Sequence, residues 1–227
     1  MIQAIAFDLW NCLAHDVGSP NPMRLLASAL GVADDPDCER RLARGMMLAP
    51  ADGIEGALRQ LAAREGLTIA DPAARRALVE RWRASEENVA LFPDVLPTLE
   101  KLRGRFRVGL CSNTQSFGIG FLQREGLWER LDASAFSFEV GALKPRPEIF
   151  RTICARLGQP PETVLMVGDH AGDDIAGARA AGMQALRIAR PEGDLSHREP
   201  PDDAGDTAVL RGLDELPARL ARIMRAG

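Results

Sequence analysis

The stretch VLMVGDHAGDDIAGARAAGM, residues 164–183, decides the fold. Its first four residues form a short apolar run without a 3.6-residue period, the mark of a strand buried on both faces. Gly168-Asp169 ends that strand, and a helix of small residues follows over about 174–181, stopped by Gly182. Working outward, the same alternation recurs. Residues 147–157 predict a helix closed by Gly158, and 133–140 (ASAFSFEV) a strand. Residues 107–111 (RVGLC) predict a strand ending in Ser112-Asn113-Thr114, followed by a helix to Gly126. Val95, Leu99 and Leu102 define another helix, and the opening run 2–9 (IQAIAFDL) is a further buried strand. Downstream come a strand at 185–189, a polar, proline-rich surface loop at 191–206, a strand at 207–210 and a helix at 213–224. Strands alternating with helices predict an α/β fold, a Rossmann-like, doubly wound and mostly parallel sheet.

Between residues 15 and 91 there is no strand signal, only start and stop signals for four helices. Asn21-Pro22, Asp35-Pro36 and Asp71-Pro72 open three of them, and Gly31 and Gly66 close two. Stripes of Leu25, Leu26 and Leu30, of Leu42, Met46 and Met47, of Ile54, Leu58 and Leu61, and of Leu78, Val79 and Trp82 point inward. The expected division is a core of residues 1–14 and 92–227, with an all-helical insertion at 15–91. Gly45, Gly53 and Gly56 surround a helix connection that could face the rim of the core.

With 227 residues, 46% hydrophobic and 26% charged, the chain can bury a core without staples. A net charge of −4 gives no case for a nucleic-acid or membrane-surface partner. No apolar run reaches a membrane span and no signal peptide is evident, so a cytoplasmic setting is expected. Cys12, Cys38, Cys111 and Cys154 lie far apart, which suggests neither a zinc site nor a redox pair; Cys111 and Cys154 read as core residues. Trp82 and Trp128 read as packing residues.

In a sheet of this kind the site lies beyond the carboxyl ends of the strands. Those ends carry Asp8, Ser112-Asn113 and Asp169. Any one of them alone reads most simply as a cap or turn residue. Together, Asp8 and Asp169 would repel unless a cation lay between them, and hard oxygen ligands of this type suit Mg²⁺. Asp173 and Asp174 lie one turn further on, as additional ligands or as helix N-terminal acids. Ser112 and Asn113 precede a helix start expected at about Ser116, whose backbone N–H groups would cradle an anion. Lys144, one of only two lysines, precedes Pro145 and Pro147, which fix the direction of the chain leaving it. A fixed cation beside a carboxylate nucleophile would hold it ionised and neutralise a bound phosphate.

The segments FDLWNCL at 7–13, CSNT at 111–114, LKPRPEIF at 143–150 and VGDHAGDDIAGARAAGM at 167–183 together resemble the haloacid dehalogenase superfamily. The resemblance implies a Rossmann-like core with a mobile helical cap in the insertion after the first motif. It implies a hydrolase, in its phosphatase branch a Mg²⁺-dependent one acting on small phosphorylated metabolites. Asp8 would be the nucleophile and form an aspartyl-phosphate, Ser112 would bind the transferred group with Asn113 beside it, and Lys144 would stabilise charge. Asp169 would hold Mg²⁺ with Asp8 and the backbone carbonyl of Trp10, and Asp174 fits the last acidic position better than Asp173.

Three residues depart from the family's pattern. Trp10 stands where phosphatases carry an aspartate that serves as general acid and base, Asn11 where a glycine is usual, and Cys12 where a threonine is usual. His170 and His15 are substitutes on composition, although a solvated surface histidine is the commoner reading of each. A large aromatic at position 10 is similar to the tyrosine of 2-haloacid dehalogenases, which work without a metal, and an arginine among Arg40, Arg41 and Arg44 could grip a halide. The alternatives to a phosphatase are therefore a dehalogenase-type hydrolase and a catalytically weak binding or regulatory relative.

Overall fold

All four residues of strand β1 (Ala4–Phe7) are buried, and they divide by parity in the computed structural model, which describes residues 1–17, 22–32, 37–191 and 209–226. Ile5 and Phe7 enter one apolar cluster, Ala4 and Ala6 the other. Strands β4 (Arg107–Ser112) and β6 (Val164–Gly168) repeat this, with Leu110 and Val167 on the first side and Cys111 and Met166 on the second. The smaller side receives helix α8 (Pro147–Leu157), whose Phe150 and Ile153 lie in that cluster. Gly109 of β4 is part of the same fit, since a Cβ there would stand 2.9 Å from Ile153 Cδ1. Helices α5 (Val95–Leu102) and α10 (Leu216–Ala226) cover the bulkier side.

With β5 (Ala133–Phe136) and β7 (Gln184–Arg187) the strands form one parallel sheet in the order β5-β4-β1-β6-β7. The chain winds outward from β1 on one side and then crosses to the other. The point where the order reverses lies at the carboxyl end of β1, between β4 and β6, where such sheets open a crevice.

The inserted residues form helices α1 (Pro22–Ala29), α2 (Cys38–Met46), α3 (Gly53–Glu65) and α4 (Pro72–Glu87). They share their own apolar cluster, including Leu26, Leu42, Met46, Ile54, Leu78 and Trp82, while Leu25 is exposed. Asp71 Oδ1 accepts the Ala73 N–H at 2.9 Å, and Gly66 ends α3 in the left-handed conformation. The start signals at Asn21 and Asp35-Pro36 lie outside the described residues.

Several expectations need correction. Residues 15–91 do contain strand: β2 (Ala14–Asp16) and β3 (Val89–Leu91) pair antiparallel at the two ends of the insertion. Three-residue strands paired across so many residues leave no periodicity to read. The strand expected over 133–140 stops at Phe136 and turns into helix α7 (Ser137–Val140). No helix starts at Ser116; after β4 the chain runs irregularly past Gly118 and Gly120, and only α6 (Phe121–Arg124) is helical. The helix expected from Asp174 begins as a π turn at Ala171–Ala176 and continues as α9 (Gly177–Ala180). The expected strand 207–210 is a single bridge between Leu210 and Ile188, with residues 207 and 208 outside the description, as is nearly all of the loop 191–206. Trp128 is 45% exposed against Phe136 instead of packed inside. No helix among the described residues is long and apolar enough to cross a membrane.

Arg190 ties the frame together in a way no sequence signal marks. It is 7% exposed, its Nη atoms meet both Asp94 oxygens at 2.9 Å, and its Nε donates to the Cys12 carbonyl at 2.7 Å. Its guanidinium lies 3.9 Å over the Phe92 ring, and Asp94 also accepts the Leu213 N–H at 2.7 Å. Arg190→Ala strands Asp94 and the Cys12 carbonyl, and should cost about 3 kcal/mol, the low end for a broken buried pair because the Asp94 side chain is 20% exposed. Urea unfolding measures this, and Arg190→Lys should recover only part, lacking the two-pronged fork. An unchanged urea midpoint for the alanine variant contradicts the reading.

Candidate active site

β1 delivers Asp8 to the reversal point, its backbone N–H held by the Val167 carbonyl at 2.8 Å. Asp8 is 6% exposed. Lys144 reaches it from the segment before α8: its Nζ donates to Asp8 Oδ1 at 2.6 Å and to Asp174 Oδ1 at 2.5 Å. The ammonium is itself buried. Asn113, at the end of β4, fixes the lysine's backbone on both sides. Its Oδ1 accepts the Lys144 N–H at 2.7 Å and its Nδ2 donates to the Lys144 carbonyl at 3.2 Å. Asn113, expected beside the substrate, thus also positions the lysine.

β6 and the π turn bring the other two carboxylates. His170 caps this turn, its Nδ1 accepting the Asp173 N–H at 2.9 Å, and Asp174 Oδ2 accepts the His170 N–H at 3.0 Å. A Cβ at Gly168 would overlap the Asp174 carboxylate, so only glycine lets the turn fold back onto the strand end. Asp8, Asp169 and Asp174 therefore converge, with one oxygen of each within 4.8 Å of the others.

The electrostatics follow from this crowding. Burial above all, with Asp174 adding to it, pushes the Asp8 carboxyl up to about 6 against the lowering effect of Lys144. Burial, then Asp8 and Asp174, push Asp169 up to about 8. Burial would lower Lys144, but Asp174 and Asp8 more than offset this and hold its pKa well above the ordinary lysine range. One ammonium faces three carboxylates, so two negative charges are unbalanced when all are ionised. That is the condition a divalent cation relieves, and the all-oxygen donor set is of the hard type that Mg²⁺ takes. The residues fit such an ion.

Ser112 ends β4 fully buried, and its Oγ has no hydrogen-bond partner among the described residues. A buried hydroxyl without a partner is costly unless something else completes it. Next to it the backbone of Thr114 is clamped: its N–H donates to Ser137 Oγ at 3.0 Å, and Ser137 Oγ donates to its carbonyl at 3.1 Å. That clamp accounts for β5 ending at Phe136, since Ser137 must turn inward. The indole N–H of Trp10 then donates to Thr114 Oγ1 at 3.2 Å, with its ring against Phe121.

The departures at 11 and 12 are accommodated. Asn11 has φ +56°, and asparagine is one of the few residues with a Cβ that enters this region readily. Cys12 is fully buried, its Sγ 3.6 Å from the Val167 carbonyl, and burial pushes its thiol well above the usual range. His15 stacks on Phe92 at the ribbon, ring centroids 4.4 Å apart.

The inserted helices meet this mouth at two places. Ser116 Oγ accepts the Ala51 N–H at 2.8 Å and donates to the Ala51 carbonyl at 3.0 Å, so the α2–α3 connection does face the core's rim. Arg44 of α2 pairs with Asp173 at 3.8 Å, a solvated pair of small energetic weight. Met46 belongs to the insertion's own cluster. Thr114 and Ser137 carry no site signal in the sequence because their partners are distant in the chain, and Ser116, expected to open an anion-cradling helix, holds Ala51 instead.

Comparisons with known proteins agree with the geometry. The glyceraldehyde 3-phosphate phosphatase of Methanopyrus kandleri is 37% identical over 133 residues, covering 55% of this chain and 54% of that protein. The phosphoserine phosphatase of Thermus thermophilus is 34% identical over 142 residues, 60% of this chain and 56% of that one. The matches thus span about half the length of these curated relatives. A solved 2-haloacid dehalogenase from Pseudomonas syringae superposes with a TM-score of 0.61 at 26% identity, covering 98% of this chain and 99% of the other. The family model described as haloacid dehalogenase-like hydrolase matches residues 2–182, across every strand that builds the site, and the chain belongs to that family of hydrolases.

Proposed function

We propose that this hydrolase is a Mg²⁺-dependent phosphatase of small phosphorylated metabolites, with Asp8 as nucleophile. The observation that carries the reading is the surplus of buried carboxylates over cations at the reversal point, beside the unpartnered Ser112 hydroxyl. Asp8, Asp169 and Asp174, with the backbone carbonyl of Trp10, would hold the ion. Bound there, Mg²⁺ supplies charge neutralisation for a dianionic phosphoryl group.

The chain's own residues do the rest. Lys144, pinned by Asp174 and Asn113, keeps Asp8 ionised and faces the phosphoryl oxygens. Ser112 Oγ donates to one of them. Asp8 attacks phosphorus in line with the leaving oxygen, and water then cleaves the aspartyl-phosphate. The four inserted helices act as a cap that excludes bulk water, with Ser116 and Ala51 as one of its points of contact. A dehalogenase reading is favoured by one observation, the aromatic residue Trp10 two positions after the nucleophile.

Two measurements test this. Phosphate release from a panel of aryl and metabolite phosphates should require Mg²⁺ and fall at least about 10³-fold in Asp8→Asn. Halide release from 2-chloropropionate in EDTA, without phosphate release, would favour the dehalogenase instead. The second is a pH series. Asp8 and Asp169 have raised pKa values in the folded chain, so the stability they contribute is full below the ordinary value of 3.8 and is lost as pH rises through about 6 and about 8. In EDTA the urea midpoint of the native chain should therefore fall more between pH 6 and pH 9 than that of Asp169→Asn, and saturating Mg²⁺ should suppress the difference. Equal pH slopes in EDTA would contradict the electrostatic account.

A further inference from the structure

Trp10 places an indole two residues after Asp8, where the resemblance expects an acid for the leaving oxygen, and the structure shows how firmly it is built in. Its indole N–H is spent on Thr114 Oγ1 at 3.2 Å, and Thr114 is itself clamped by Ser137 on both backbone groups. The ring is part-buried, 5.8 Å from Phe121 between centroids and packed on the main apolar cluster. It is not a side chain that can swing aside for an acid. An indole N–H is, besides, far too weak an acid to hand a proton to a departing oxygen.

Among the described residues, most other groups around the mouth are engaged elsewhere. The Lys144 ammonium is shared between Asp8 and Asp174. Both oxygens of Asp174 accept hydrogen bonds, one from Lys144 and one from the His170 backbone. The Cys12 thiol is directed to the Val167 carbonyl. The Asp173 carboxylate has only a weak, solvated pair with Arg44, while its backbone N–H caps onto His170 Nδ1. Asp169 belongs to the carboxylate cluster that would hold the ion. Among the described residues, Asp173 and His170 are the other proton carriers beside the cluster, and the His170 Nδ1 lone pair already serves the turn.

We infer that this site acts on phosphate derivatives whose leaving group departs as a stable anion without taking up a proton, acyl phosphates foremost, and not on ordinary alkyl phosphomonoesters. The inference rests on the phosphatase reading above. In the first step an Asp8 oxygen forms a bond to phosphorus as the bond from phosphorus to the acyl oxygen breaks; the acyl group leaves with the electron pair as a carboxylate. In the second, a water oxygen bonds to phosphorus, the Asp8–phosphorus bond breaks to restore the carboxylate, and the water's proton leaves with inorganic phosphate or to solvent. No step requires the enzyme to donate a proton to the leaving group. Among the described residues no base is committed to the second step either, so hydrolysis of the aspartyl-phosphate limits kcat alike for all good substrates, whereas kcat/KM reports the leaving group.

The test is kcat/KM in saturating Mg²⁺ for acetyl phosphate and a series of aryl phosphates, with glycerol 3-phosphate as the alkyl case. The leaving groups run from about 4 to about 10 in pKa across the acyl and aryl compounds. The expected result is a steep, unbroken decline of about 10³-fold or more across that series, with the alkyl ester lower still. Trp10→Asp should flatten the decline and raise the alkyl rate by about 10²–10⁴-fold. If that variant does not fold, the slope of the native enzyme decides alone. A flat series in the native enzyme overturns the inference while leaving the phosphatase reading intact. So does a series that is shallow in the native enzyme and turns steep in His170→Gln or Asp173→Asn, which would make that residue the acid. No turnover of any phosphate, together with no Asp8-dependent labelling by radioactive acetyl phosphate, overturns the phosphatase reading and this inference with it.

Discussion

A single buried ammonium, Lys144, lies between Asp8 and Asp174, and the rest of the site is arranged to keep it there. A lysine so placed costs several kcal/mol in lost hydration unless its partners are close and fixed. Each partner is fixed by a different part of the fold. β1 carries Asp8, the π turn after β6 carries Asp174, and Asn113 at the end of β4 grips the lysine's own backbone. Three neighbouring parallel strands must therefore be in register before the ammonium has its partners. This couples the chemistry of the site to the sheet, and it explains why Gly168 cannot carry a side chain.

The pair does not neutralise the mouth. Asp169 makes a third carboxylate, and the rise of its pKa and that of Asp8 expresses the cost of holding the group without a further positive charge. The same imbalance is the chemical basis of the proposed function: a divalent ion would settle the carboxylates, and a phosphoryl dianion would meet the ion, Lys144 and the Ser112 hydroxyl, which has no partner among the described residues.

Much of this was legible in the sequence, and the limits have physical causes. Runs such as VLMV and IAF are apolar on both faces, so a mostly parallel sheet and the polar residues at its strand ends could be read directly. Asp8, Ser112, Lys144, Asp169 and Asp174 stand at positions that the sheet rule or the family resemblance picks out. What could not be read depends on partners remote in the chain. The β2–β3 ribbon consists of two three-residue pieces, each too short to show a period. The expected helix at Ser116 failed because Gly118 and Gly120 weaken it while Phe117 and Ser116 are drawn to the inserted helices. Ser137 was read as strand because its inward turn serves Thr114, more than twenty positions earlier. Arg190 carries no motif at all; its role exists only once Asp94, Cys12 and Phe92 have been brought to it.

The most direct test is a crystal structure grown with Mg²⁺ and fluoroberyllate, a mimic of a phosphoryl group on a carboxylate. Beryllium should be bonded to an Asp8 oxygen, its fluorines reached by Lys144 Nζ and Ser112 Oγ, and one ion should be shared by Asp8 and Asp169. A mouth without the fluoroberyllate at saturating concentrations, or an ion bound with Asp8 left outside its coordination, would contradict the phosphatase reading.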